Sequence, residues 1–448
     1  MTRTAPPVGP PTAVRFPDIA RRTLDNGLRV WVIEQVRVPT ATAVLLVDRG
    51  SAADPVHLPG LAGAAVDLLD EGAGSRKAIE LAGAFGDLGT ELVSEVGPDV
   101  SWLSFSSLAR VFGEALALLA DVVARPHLYE ADFRRVIELR SHQLQQRSRS
   151  AGMAADRTLV GAMFSGHPYG HGTLGTSRAL GAMRADDARA FWTESVGPAA
   201  ATLVIAGDVR ASAAFDMAAG TFGGWRAPGS QPFAVPELRS AGEPAVLFVA
   251  RPGAAQSEVR VGHIGPPRKV DDFHGLLVLD AILGGQFTSR INRNLREAKG
   301  LTYGARTSFG FRRAGGSFVC DASVQSDRTA EAVSEILREF AEIRRPGSVV
   351  DAELERARAS LSRGYVRNFE TASQYARAAV QLATYDLDDR TFDRFVPSVE
   401  AVGPADVERL AVEHIRPDEA VIVVVGDPAQ RPLLEGLGRP VSVVTPEF

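Results

Sequence analysis

Apolar residues fall along this chain in two alternating rhythms. Residues 28–34, 40–49 and 100–106 are short runs that alternate apolar with polar or are apolar throughout, the signature of strands, and Asp25-Asn26-Gly27 supplies a turn before the first. Residues 111–123 and 130–149 instead carry helical spacing, the second run being rich in arginine at Arg134, Arg135, Arg140, Arg147 and Arg149. Pro59-Gly60 opens another helix that Gly72 and Gly74 end, and Ile79, Ala82, Gly83 and Leu88 fit a further short one. The same succession then returns. Residues 246–250, 257–264 and 316–324 read as strands, and residues 273–283, 329–343 and 351–369 as helices, the last with Arg on several turns.

Two segments fix the period of this repetition. Leu203-Val204-Ile205-Ala206-Gly207-Asp208 and Val423-Val424-Val425-Gly426-Asp427 are both apolar strands ending in Gly-Asp, about half a chain apart. Each follows a helical stretch, 186–194 in one case and 404–414 in the other. Between the copies, residues 223–236 are rich in Gly and Pro and read as a linker. Mixed strand and helix blocks of this order predict an α+β fold of two related domains, 1–226 and 237–448, each a mostly antiparallel sheet with helices packed on one face. A length of 448 residues agrees, since single cores stop growing near ~250 to 300 residues.

Composition narrows the classes. Hydrophobic residues at 45%, charged residues at 23% and a net charge of −5 describe a globular protein whose mildly acidic balance argues against a nucleic-acid partner. The longest apolar runs, such as residues 421–425, are strand-sized and far below the ~20 residues of a membrane span. The Pro-rich start, residues 1–11, has an Arg but no apolar stretch after it and reads as a flexible arm rather than a secretory signal, so cytoplasm is the default compartment, or periplasm if a leader has been removed. The single cysteine, Cys320, excludes an internal disulfide and a cysteine-based zinc cluster, and reads as a small core residue on a strand.

Three segments carry chemical information. The first is Gly60-Leu61-Ala62-Gly63-Ala64-Ala65-Val66-Asp67-Leu68-Leu69-Asp70-Glu71-Gly72, which resembles the segment in which pitrilysin/insulinase-type zinc peptidases carry Gly-Leu-Ala-His-x-x-Glu-His. In that inverted motif two His one helical turn apart hold zinc, and the Glu activates a water. The two His fall here on Gly63 and Asp67 and the Glu on Val66, none of which can do that work. The family's remaining ligand is a Glu on the long helix further along. The stretch here, residues 140–146, holds no carboxylate; Glu138 is out of register, and His142 reads as a solvated helix residue. Asp67, Asp70 and Glu71 share one side of the helix end, and read as a solvated acidic patch rather than a replacement site.

The second segment, Asn294-Leu295-Arg296-Glu297-Ala298-Lys299-Gly300-Leu301-Thr302-Tyr303-Gly304, is similar to the Leu-Arg-x-x-x-x-Leu-x-Tyr segment with which the same family places an Arg and a Tyr over the substrate. Both residues, Arg296 and Tyr303, are intact. A phenol donates one directed hydrogen bond and a guanidinium offers a charged fork, the donor types that stabilise an oxyanion on an attacked peptide carbonyl. Apart from that setting, the ordinary expectation is a surface ion pair for Arg296 and packing at a strand start for Tyr303. The third, Gly166-His167-Pro168-Tyr169-Gly170 with Gly175-Thr176 behind it, resembles the family's Gly-His-Pro-Tyr-Gly loop. His167 and His171 stand four apart like metal ligands, but Pro168 and the glycines preclude the helix that would align them, so a locally hydrogen-bonded turn is expected.

The resemblance implies two homologous α+β domains and a division of labour between paired chains, as in the mitochondrial processing peptidase. On that reading this chain binds no metal and needs no cofactor of its own. It pairs with a homologous zinc-bearing peptidase subunit and lends Arg296 and Tyr303 in trans to hydrolysis of a peptide substrate, which adds as an extended strand to a sheet edge of the sister. Homodimerisation of the chain alone is left open. Two other readings stand beside it: an inactive peptidase-like scaffold or peptide-binding protein, like the peptidase-derived core subunits of the respiratory chain, and a self-sufficient enzyme with an altered metal site. Intact Arg296 and Tyr303 count against the scaffold, which has no use for oxyanion donors.

Overall fold

The computed structural model describes residues 9–227, 233–238 and 245–448. Two six-stranded sheets form its frame, one from each half. Strands of the first lie in the order Ala20–Thr23, Arg29–Glu34, Ala201–Gly207, Thr40–Val47, Ser101–Leu108, Val93–Val96. Strands of the second, read from the corresponding side, lie in the order Val441–Val443, Val246–Ala250, Val421–Gly426, Gln256–Gly265, Gly316–Gln325, Thr302–Gly310. Pairing agrees place for place: the second and third strands are parallel in both sheets, and the pairs beyond them are antiparallel. Only the outermost strand differs, antiparallel at Ala20–Thr23 and parallel at Val441–Val443. The two Gly-Asp strands occupy the third place of their sheets, so the repeat in the sequence is a repeat in space.

Each half lays its own helices on one face of its sheet. Leu116 and Leu119 of helix Phe112–Ala124 join Leu45 and Leu203 in the first core, and Leu279, Val333 and Leu410 from three helices join Val259 and Ile422 in the second. The opposite faces are covered by exchange. Helix Ala151–Met163 of the first half packs Ala155, Leu159 and Met163 on Val421, Val423 and Val425 of the second sheet. Reciprocally, Ala372–Tyr385 packs Ala376, Ala379 and Leu382 on Val44, Val204 and Ala206 of the first. This two-sided cover is why the central strands are apolar at nearly every position instead of alternating. Alanine on the crossing helices lets their backbones approach the sheet closely.

Two boundaries differ from expectation. The helix foreseen over 351–369 stops at Ser362; after Gly364 the chain tightens into the turn Tyr365–Phe369, which stacks Tyr365 on Phe395 at 3.8 Å. Glycine weakens a helix at that point, and burial of the aromatic ring favours the tighter path. The helix after Gly60 is likewise shorter, Leu61–Asp67, followed by a single tight turn Leu69–Glu71. Cys320 is buried on a strand as expected. Residues 1–8 of the Pro-rich start and residues 228–232 of the linker lie outside the described residues, among which no helix is long and apolar enough to cross a membrane.

Candidate functional site

Helix Leu61–Asp67 is fixed from its N-terminal end. Gly60 adopts φ +96°, a left-handed conformation suited to glycine, and turns the chain so that its own amide and that of Ala62 both donate to the Asp54 carboxylate at 2.7 Å. Burial pushes the Asp54 carboxyl up to about 7, against the pull of those two amides and of Arg140. His171 Nδ1 stands 3.8 Å from the same carboxylate, and burial holds its imidazole below the usual range. The six residues from Leu61 to Val66 are all buried.

Arg140 occupies the space where metal ligands would converge. It comes from helix Glu130–Ser148, is only 3% exposed, and spreads its guanidinium over the face of Gly63. Nη1 donates to Asp67 Oδ2 at 2.5 Å, and Nη2 donates to the carbonyl oxygens of Thr173 at 2.5 Å and Gly60 at 3.4 Å. A Cβ on residue 63 would overlap the guanidinium and lie 2.6 Å from the Thr173 oxygen, so glycine there is a steric requirement. The residues therefore do not fit zinc. Gly63 offers no ligand, Val66 is a buried hydrocarbon, Asp67 is already paired, and a fixed cation fills the site where a second cation would have to enter.

Of the acidic cluster beside this helix, expected from sequence to be solvated, Asp70 is exposed but its two neighbours are paired. Asp67 is tied to Arg140 and Glu71 to Arg135, both arginines of the long helix. Two arginines of the run read in sequence as arginine-rich thus neutralise acids of the degenerate motif. His142 does stay in solvent. Nothing in the spacing of Arg140 marked it as the buried one; its proximity to Gly63, far away in sequence, is a tertiary fact.

The loop 164–176 forms the wall behind the site. Pro168–Gly170 is a single tight turn, and His167 Nδ1 accepts from the Tyr169 amide at 3.1 Å, the local turn foreseen. Tyr169 does more than close that turn: its buried hydroxyl donates to Asp99 and accepts from the Ala314 amide at 3.3 Å, while Arg312 lies over its ring at 4.7 Å. Arg313 donates from its backbone amide to Asp99 at 3.0 Å and from its side chain to Asp48 and the Thr384 carbonyl. The loop thereby joins the two halves.

Arg296 and Tyr303 sit on the second half, around the start of its edge strand. Residues Arg293–Ala298 wind as a π-helix, and Gly300, at φ +64°, lets Leu301 N reach back to the Leu295 carbonyl at 2.7 Å. Asn292 clamps the strand to this segment, accepting from Ala305 N at 3.0 Å and donating to Ala305 O at 2.8 Å. Between Thr302 and Ala305 the pairing slips, so Tyr303 lies in a bulge and projects 92% exposed. Among the described residues its hydroxyl has no protein partner. Arg296 is held differently: the ring of Phe287, itself 72% exposed, covers its guanidinium at 3.3 Å, Nη2 pairs with Glu297 at 2.7 Å, and Nη1 has no hydrogen-bond partner. Among the described residues neither Arg296 nor Tyr303 makes a hydrogen bond, ion pair or ring contact with helix Leu61–Asp67. Phe287 was missed in sequence, because an aromatic in a Gly-Gly-Gln-Phe turn carries no sign of what it covers.

With this geometry in place, comparison with known proteins fixes the lineage. Residues 29–177 match the family model described as insulinase, peptidase family M16, and residues 182–361 match the one described as the peptidase M16 inactive domain. The chain is 25% identical over 367 residues to an uncharacterized zinc protease of Mycobacterium leprae, covering 81% of this chain and 82% of that protein. Its fold is similar to the crystal structure of a peptidase M16 inactive domain from Pseudomonas fluorescens, with TM-score 0.86, 21% identity, and 92% and 98% of the two chains covered. A protease from Helicobacter pylori is similar as well, with TM-score 0.85, 18% identity, and 91% and 99% covered. Two sheets of matching strand order but for the outermost strand, a helix standing where the inverted zinc motif belongs, and family matches that together cover residues 29–177 and 182–361 make this chain a member of the pitrilysin/insulinase-type peptidases, family M16.

Proposed function

We propose that this chain is the non-zinc-binding subunit of a heterodimeric zinc metalloendopeptidase, supplying Arg296 and Tyr303 in trans to a homologous zinc-bearing sister. The observation that carries this reading is the contrast between a metal position filled by Arg140 and a phenol at Tyr303 left fully in solvent with no internal role. The bulge leaves the Tyr303 hydroxyl free to meet a group outside the chain. The zinc of the relatives belongs, on this reading, to the sister. This chain contributes the donors: Tyr303 one directed O–H toward the oxygen that becomes negative on the attacked peptide, and Arg296 a charged fork for a substrate carbonyl. Nη1 of Arg296 has no hydrogen-bond partner and is buried, so it meets a substrate carbonyl only once the Phe287 ring moves aside.

The test is co-expression with a homologue that keeps His-x-x-Glu-His, followed by assay of peptide cleavage. Activity is expected in the mixture and absent from this chain alone. Tyr303→Phe in the mixture lowers kcat by about 10²-fold with KM little changed. Cleavage by this chain alone, or equal turnover of wild type and Tyr303→Phe in the mixture, refutes the assignment.

A further inference from the structure

A cavity of about 1070 Å³ has Asp54 and Thr173 among its lining residues and Arg140 not among them. Helix Ala151–Met163 and the loop after it form one side; Leu247 and residues 444–448 from the second half form the other. The chain enters it as an extended strand. Val441–Val443 pairs in parallel with Val246–Phe248, and Val444 N continues the ladder by donating to the Phe248 carbonyl at 2.9 Å. Beyond that point Val444, Pro446 and Phe448 are half-buried while Thr445 and Glu447 are exposed, the two-residue alternation of an extended backbone lying against a surface.

The contacts of this segment define what the cavity recognises. The Phe448 ring lies 5.1 Å from the Arg157 guanidinium, and Glu447 stands 3.4 Å from Arg178 Nε. Arg157 also donates to the Gly175 carbonyl at 2.8 Å, so it is held in place, and burial lowers its pKa below the usual guanidinium range. The lining acids other than Glu447 are committed elsewhere: Asp54 caps helix Leu61–Asp67, and Asp156 accepts from Arg260 at 2.6 Å. Without the segment, the wall is therefore apolar with a net cationic rim of Arg147, Arg157 and Arg178. The space left with the segment in place is of the size of ordinary ligand pockets, so five residues do not exhaust it.

We infer that this cavity is a binding site for an extended peptide carrying an acidic residue followed by an aromatic one, and that residues 444–448 are its ligand in cis. An exposed ion pair and three half-buried side chains hold the segment loosely. A peptide of the same pattern from another chain displaces it, taking over the parallel pairing on Val246–Phe248 and the contacts to Arg157 and Arg178. This site is separate from Arg296 and Tyr303 and stands whether or not they act on a sister's substrate.

The experiment measures fluorescence anisotropy of a labelled peptide with the sequence of residues 441–448, Val-Ser-Val-Val-Thr-Pro-Glu-Phe, added to the full chain. Glu447→Ala/Phe448→Ala, which releases the resident segment, is expected to bind the peptide about tenfold tighter than wild type, as removal of an internal competitor requires. Adding Arg178→Ala to that variant lowers its affinity by no more than about threefold, the worth of an exposed ion pair, and a peptide with Glu and Phe both replaced by Ala does not bind. Glu447→Gln, an exposed change that leaves the packing intact, gives a smaller gain of about threefold. Equal affinity of wild type and both released variants, or equal binding of the Ala-substituted peptide, overturns the inference.

Discussion

Helix Leu61–Asp67 in the first half and the segment around Arg296 and Tyr303 in the second treat polar groups in opposite ways. Around the helix, the groups left by a lost metal site are satisfied internally, Arg140 Nε excepted: Asp67 by Arg140, the Gly60 and Thr173 carbonyls by the same guanidinium, the helix amides by Asp54. Around Tyr303 they are left open, with the hydroxyl in solvent and Arg296 Nη1 unpartnered under an exposed phenylalanine. A sealed site contributes to folding and an open one does not. Substitution at the first should therefore be read as stability, and at the second as function.

The largest effect is expected from Arg140→Ala, which leaves two carbonyl oxygens without their donor and should cost about 2 kcal/mol in urea unfolding, the Asp67 carboxylate being 43% exposed and adding little. A loss below ~1 kcal/mol would show that the guanidinium does not seal the helix. Restoring the motif by Gly63→His, Val66→Glu and Asp67→His while keeping Arg140 should still give no stoichiometric zinc by elemental analysis, because the new imidazole meets the guanidinium. Tight zinc in that variant would mean that Arg140 swings away easily. Tyr303→Phe should leave unfolding within ~0.5 kcal/mol of wild type, as for exposed positions generally, although it lowers turnover in the mixture. A marked stability loss would place Tyr303 on the structural side of the comparison.

Acidity offers a finer test that treats both halves alike. Burial pushes Asp54 in the first half and Asp280 in the second up to about 7, the latter while it accepts from Thr307 Oγ1 at 2.7 Å. A carboxyl raised in the folded state binds its proton more tightly there than in the unfolded chain. Its contribution is thus fully present below the ordinary carboxylate value and is lost as pH rises toward 7. Asp54→Asn and Asp280→Asn should each gain on wild type between pH 4 and pH 8 in urea titrations; a constant difference across that range would mean neither titrates where burial places it. Phe287→Ala should cost no more than ~1 kcal/mol, the worth of an exposed ring over a cation. In the active mixture it should change KM or kcat through Arg296. Unchanged kinetics would make the ring a bystander.

Most of the frame is legible from local pattern. Strand and helix periodicity, the doubled Gly-Asp strand and the Gly/Pro-rich stretch are properties of neighbouring residues, and so is the absence of His and Glu from positions 63, 66 and 67. The same holds for the turn at His167 and Tyr169, whose glycines and proline leave the backbone few choices. Chain order alone thus determined the fold class and the loss of metal ligands.

Only the tertiary structure decided what fills the gap. That Arg140, and not another arginine of its helix, lies over Gly63 depends on the packing of two helices distant in sequence. The exchange of helices Ala151–Met163 and Ala372–Tyr385 between the halves, the cover of Phe287 on Arg296, and the seating of residues 444–448 in their cavity are likewise contacts between remote segments. Periodicity tells which face of an element is buried, since that follows from backbone geometry. It does not tell against what, because the partner is chosen by the packing of the whole chain.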